Sequence, residues 1–259
     1  MNVALLHRER SFRGRSDARS PVALNRLQRL LGLADDAHDD LVRLCEDAVV
    51  HVGARSIIAD EGEPQSQAYL ILEGWACRCR FVDSNRRQIT SLLLPGDFSN
   101  PELDLDPRLG IDHMVCSLTP LIYAAVDTDE LAAVVARSPG LALALQLQRR
   151  REQSIQREWA VSLGRRSACE RVAHLICELH RRLDCDPSKR SLTIDMPLLQ
   201  ADLADAVGLT PIHVNRMLQQ LRALGLIKSS HNHITISDLA GLQRLACFDE
   251  TYLRLAGVA

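Results

Sequence analysis

No stretch of the 259-residue chain approaches the roughly eighteen consecutive apolar residues that a membrane-spanning helix needs. The N-terminus also lacks the apolar core and small-residue cleavage site of a secretory signal, so a soluble, cytoplasmic chain with no membrane partner is expected. Cysteine is missing before Cys45, and the eight cysteines, at positions 45, 77, 79, 116, 169, 177, 185 and 247, have no small disulfide framework. Reduced thiols, several of them buried, are the expectation. Cys77 and Cys79 lie two apart in an expected strand and share a face near the distance limit for a relaxed disulfide; two small core residues account for them better than a redox pair. Excess positive charge is missing too: the formal net charge is −2 with 46% apolar and 25% charged residues, an ordinary soluble composition. Catalytic metals need clustered His and carboxylate ligands, and the only His-x-His pair is His231 and His233 in a polar loop. No catalytic residue and no metal site are expected, which sets aside a cupin-like enzyme.

What is present is most pointed at Thr210-Pro211-Ile212-His213-Val214-Asn215-Arg216. Thr210 is a good N-cap, and Pro211 at the first helical position gives up no needed hydrogen bond. Val214, Leu218 and Leu221 then fall on one face, with Ile212, Arg216 and Gln219 opposite, flanked by His213 and Asn215. One face anchors and the other is offered outward. Upstream, residues 199–207 form a short helix with Leu199, Leu203 and Val207 on one side, joined through Gly208-Leu209; this is a helix-turn-helix pattern. Downstream, Gly225 stops the second helix, and strand-like runs at 226–228 and 234–236 flank a polar loop, Ser229-Ser230-His231-Asn232-His233. Two helices and such a hairpin describe a winged helix. The alternative at this point is a helical hairpin with a β appendage that touches no nucleic acid. Charge favours the first reading. Residues 1–164 carry 19 Lys and Arg against 23 Asp and Glu, whereas residues 165–259 carry 12 against 10. The asymmetry suits a local basic footprint without strong nonspecific binding.

Before the winged helix the texture divides the chain. Residues 1–22, with Arg8, Arg10, Arg13, Arg15 and Arg19, read as a disordered arm. Residues 23–137 read as a β-roll domain with flanking helices, two of them short and separated near residues 32–36. Its expected strands, at 56–58, 68–72, 75–81, 88–94, 113–117 and 121–125, are spaced as in an antiparallel sandwich or jelly roll. Residues 138–164 form a long helix. Its positions Leu141, Leu145, Gln148, Glu152, Ile155, Trp159 and Ser162 alternate by four and three, a heptad seam with apolar ends. Residues 165–259 form the winged-helix domain, and the whole is an α+β chain.

Asp60-Glu61-Gly62-Glu63-Pro64, Tyr69-Leu70-Ile71-Leu72-Glu73-Gly74 and Leu94-Pro95-Gly96-Asp97-Phe98 occur in the order found in β-rolls of the cyclic-nucleotide-binding kind. With the helix-turn-helix, they make residues 40–245 resemble the Crp/Fnr superfamily of bacterial transcription regulators. The resemblance implies a homodimer, paired through Leu141, Leu145, Gln148, Glu152, Ile155 and Trp159, on double-stranded DNA bearing a palindromic operator. Base readout is expected from Arg216, bidentate to guanine, and from Asn215, His213 and Ile212; Thr210, Gln200, Gln219, Arg222, Lys228, Ser229 and His231 are expected at phosphates. RNA polymerase and a small-molecule effector are further partners it allows, the effector pocket falling near Glu73, Asp97, Asp112 and His113. A β-roll adaptor that binds only a ligand or a protein is the competing reading, and it leaves the outward face of the second helix without a task.

No cofactor is assigned. The Arg-Ser-Ala element that holds a cyclic nucleotide in such regulators is missing, and Asp112 stands near where the phosphate would lie, with Arg108 the one substitute. An iron-sulfur cluster needs four thiolates, drawn in that family from an N-terminal region that here has none. Haem, which needs only one hidden His or Cys, stays open. Many relatives place Glu where this chain has Ile212, so its operator is expected to be its own.

Overall fold

The computed structural model describes residues 35–99, 110–183, 192–230 and 232–253. The expected arm, the helix expected before residue 32, Arg108, Cys185 and His231 lie outside these. The chain forms two compact units, one ending at Arg150 and the other beginning at Arg151, so the division falls inside the long helix.

In the first unit, helix α1 (Asp35–Glu46) buries Leu41 and Cys45. Strands β1 (Val49–Val52), β2 (Ile57–Ala59), β3 (Gln67–Glu73), β4 (Ala76–Asp83), β5 (Arg86–Leu93), β6 (Phe98–Ser99), β7 (Met114–Ser117) and β8 (Leu121–Asp127) follow. They pair as two antiparallel sheets, ordered β1-β8-β3-β6 and β2-β7-β4-β5. Val50, Ile71, Leu121 and Tyr123 of the first sheet meet Ala59, Ala76, Leu93 and Val115 of the second, because period-two alternation gives each sheet one apolar face. The β-roll and six of its strands thus fall where expected; β1 and the two-residue β6 were not anticipated.

The motif glycines and the aspartate have backbone tasks. Gly74, at φ 82°, turns β3 into β4, and a Cβ there would collide with the Pro120 carbonyl oxygen. Gly96 N donates to Ile71 O at 2.7 Å, Ile71 N donates to Asp97 O at 3.0 Å, and Leu94 N donates to Asp97 Oδ2 at 2.8 Å. These bonds fasten the Pro95-Gly96-Asp97 turn to the middle of β3. Cys77 stands opposite Cys116 across β4 and β7, both buried, with Cys79 beside them. A hydrogen bond to Cys116, then burial, pushes the Cys79 thiol up, which suits a packing role.

Helix α2 (Thr128–Arg137), capped by the Asp127 carboxylate, leads to the long helix α3 (Pro139–Arg165). Leu141, Leu145, Gln148, Ile155 and Trp159 are buried within the single chain, and Glu152 is half-buried, so this face has little surface left for a partner. A heptad repeat marks a buried stripe and says nothing of which chain buries it. The exposed apolar residues of α3 lie elsewhere, at Leu143 (56% exposed), Val161 (50%) and Leu163.

The second unit continues with α4 (Ala168–Leu183), β9 (Thr193–Asp195), α5 (Gln200–Val207), α6 (Pro211–Ala223), β10 (Ile227–Ser230), β11 (His233–Ile236), α7 (Leu239–Ala246) and a short 3-10 turn, Glu250–Leu253. Val172, Ile176 and Leu179 of α4 give it a core with Val214, Leu218 and Leu221 of α6 and Leu242 of α7. A fully buried carboxylate sits in it. Glu178 accepts from Trp159 Nε1 and Tyr252 OH, each at 2.9 Å, and from Arg182 Nη1 at 3.2 Å, which satisfies a charge that would otherwise be costly to bury. His174 stacks on Tyr252 at 5.8 Å and meets Phe248 edge-on at 5.2 Å.

Burial, aided by Arg166, drives the His174 pKa down from 6.5 to about 3. The folded chain keeps this ring neutral while the unfolded chain protonates it below 6.5, so stability is lost as pH falls from 6.5 toward about 3. Thermal melts from about pH 7 to about pH 4 should show a steeper fall for the parent than for His174→Gln. Parallel slopes would remove His174 as the cause.

Candidate nucleic-acid interface

Helix α5 starts with the Asp202 carboxylate accepting from Leu199 N at 3.1 Å. Leu199 therefore sits at the cap, outside the first turn, and is 58% exposed; it was expected on the buried side with Leu203 and Val207, which are buried. The helix ends at Gly208, whose left-handed φ of 64° lets the chain turn at once. Two residues on, Thr210 Oγ1 accepts from His213 N at 3.3 Å and Pro211 opens α6, as the sequence predicts.

Helix α6 packs on α4 and α5 through Val214, Leu218 and Leu221. That leaves Ile212 (71% exposed), His213, Arg216 and Gln219 in solvent, with Asn215 half-buried at the edge. No acidic residue lies in its first turn, so the positive end of the helix dipole faces outward unopposed from within the helix.

The wing is larger than expected. β10 and β11 pair from Ile227 opposite Ile236 to Ser230 opposite His233, so Ser229, Ser230 and His233 belong to strands and the connection is only two residues. β9 adds a third strand, Ile194 opposite Ile234. Arg222 Nη1 donates to Ser229 Oγ at 2.6 Å, tying the last turn of α6 to the wing. His233 Nδ1 lies 2.7 Å from Asp195 Oδ1. Between α5, α6 and the wing is a cavity of about 320 Å³, with Leu203 and Leu218 among its apolar lining and Gln200, Asn215, Arg222, Ser229 and His233 among its polar lining. Four residues singled out from sequence thus meet in one cleft, joined by His233, which the sequence reads as part of the polar wing loop. Lys228 is exposed on β10.

The residues expected around an effector pocket fall at three places in the first unit. Asp97 closes the Pro95-Gly96 turn, Glu73 ends β3 in solvent, and Asp112 pairs with His113 at 2.7 Å just before β7. The His113 hydrogen bond holds the Asp112 carboxyl below its ordinary range. Among the described residues, no group of three His, Cys, Asp or Glu side chains is placed to hold a metal ion.

Comparison with known proteins matches this architecture. A family model described as the Crp-like helix-turn-helix domain matches residues 170–245. The nitrogen fixation regulation protein FixK of Bradyrhizobium diazoefficiens is 30% identical over 201 residues, covering 76% of this chain and 81% of the relative. The chain belongs to the Crp/Fnr family. The transcriptional activator protein FnrL of Cereibacter sphaeroides is 28% identical over 66% of this chain and 69% of its own length. The solved structure of FixK2 from Bradyrhizobium japonicum shares the fold, with a TM-score of 0.67, 24% identity, and coverage of 76% of this chain and 96% of that one. This Crp/Fnr protein is accordingly a DNA-binding transcription regulator, of a family of regulators and not of enzymes. Among the described residues no helix is long and apolar enough to cross a membrane.

Replacing Thr210 with Ala removes the oxygen that caps α6 and should cost about 1 kcal/mol of stability, read as a lower urea midpoint at unchanged slope. An unchanged midpoint would mean that solvent caps the helix equally well.

Proposed function

We propose that this regulator works as a homodimer on a two-fold operator, each α6 entering a major groove. The observation that carries this reading is the outward face of α6, with Arg216 exposed above a face anchored by Val214, Leu218 and Leu221. Arg216 is assigned a bidentate contact to guanine, His213 and Asn215 contacts to neighbouring base edges, and Ile212 an apolar contact such as a thymine methyl. Thr210, Gln200, Gln219 and Lys228 are assigned to phosphates. Arg222 and Ser229, bonded to one another, act there as a single donor group, and His231 belongs with them.

For the dimer we now assign a second line of α3, with Leu143, Arg150, Arg157 and Val161 exposed and Leu147 and Ser154 half-buried, which again alternates by four and three. Its apolar ends supply area, and its polar middle suits a defined register. The β-roll is assigned as the effector domain, with a small molecule of unidentified class as its ligand.

Arg216→Ala should lose discrimination between the operator and a duplex altered at the contacted guanine by about 1–3 kcal/mol in a gel-shift titration. Full selectivity in the variant would contradict the assigned readout. Leu143→Glu combined with Val161→Glu should halve the mass found by light scattering, and an unchanged dimer would remove this face of α3 from the interface.

A further inference from the structure

Only Arg166 and Ser167 separate α3 from α4, and this joint is bonded on several sides. Arg166 Nη2 donates to Glu158 Oε1 of α3 at 2.6 Å. The same guanidinium reaches the end of α7, with Nε to Ala246 O at 3.1 Å and Nη2 to Cys247 O at 3.2 Å. Arg171, in the first turn of α4, donates Nε to Arg166 O at 3.2 Å and Nη1 to Val207 O at 2.9 Å. Val207 is the last residue of α5, and only Gly208 and Leu209 stand between it and the Thr210 cap. Both guanidinium groups therefore lie at helix C-termini, where carbonyls lack helical partners and the dipole is negative. Ser167 and Glu170 complete the joint with reciprocal capping bonds at the start of α4, 2.8 and 3.4 Å. A path of two arginines runs from the long helix to the carbonyl that precedes the recognition helix.

We propose that Arg166 and Arg171 are positioning residues for operator reading: they hold α6 at a fixed offset from α3 and so set the half-site separation that the dimer accepts. The inference rests on the homodimer reading above. One base pair changes the separation by about 3.4 Å and turns a half-site by about 35°, so a joint that discriminates spacing must resist displacements of that size. A bond network across a two-residue link does so where a free link would not. Neither arginine is assigned a contact to DNA.

The test uses full-length protein and three duplexes that carry the same two half-sites, one at the spacing enriched by the protein from a random DNA pool and the others at one base pair more or less. The parent should bind the selected spacing about tenfold more tightly than either alternative, and Arg171→Gln should cut that ratio below about threefold. Its preference for the correct half-site base, the Arg216 readout, should stay as in the parent. Equal weakening of Arg171→Gln on all three duplexes would show a merely structural role and overturn the proposal. Should that variant fail to fold by circular dichroism, Arg171→Lys replaces it, since a lysine keeps the charge but lacks the planar fork whose separate nitrogens reach the two carbonyls. A parent that ignores spacing altogether would overturn the homodimer reading itself, and the inference with it.

Discussion

Burial of Val214, Leu218 and Leu221 along one side of α6 is the constraint on which the rest depends. A helix has one rotational setting that satisfies these three side chains, and that setting commits Ile212, Arg216 and Gln219 to solvent. Thr210 and Gly208 then set where the helix begins and how it leaves α5. The reading face is thus a consequence of packing, and the winged-helix core exists to hold that packing still.

The same domain shows how charge is kept inside without loss of order. Glu178 is buried with three donors, Arg166 and Arg171 meet carbonyls at helix ends, and His174 stays neutral between aromatic rings. Each group would be costly to bury alone. Together they join the last turns of α3 to α4, α5 and α7 within the second unit.

Much of this was legible in the sequence. The helix-turn-helix could be read because caps, glycine stops and helical spacing are local signals, and the β-roll because its turns carry Gly, Pro and Asp at short intervals. Other parts were hidden for physical reasons. Strand β9 is three residues long and exists by pairing with β11, a long-range contact with no local signature. The α3 seam is legible as a stripe but its partner is not, since burial within a chain and between chains leave the same pattern. Leu199 reads as apolar spacing, yet a cap position lies outside the helix and follows no helical face. His233 and Ser229 were placed in a loop because polar residues on a short wing strand look like one. The bond from Leu94 N to the Asp97 carboxylate, within the residue's own turn, has no signature in spacing.

The central claim is that two copies of α6 read a two-fold site through faces set by their buried sides. Selection of bound sequences from a random DNA pool by the full-length protein tests it most directly. The account predicts an enriched inverted repeat whose half-sites are centred about 10–10.5 base pairs or a multiple apart, with a guanine in each half-site. Enrichment of a single unrepeated site, or of no sequence at all, would contradict it.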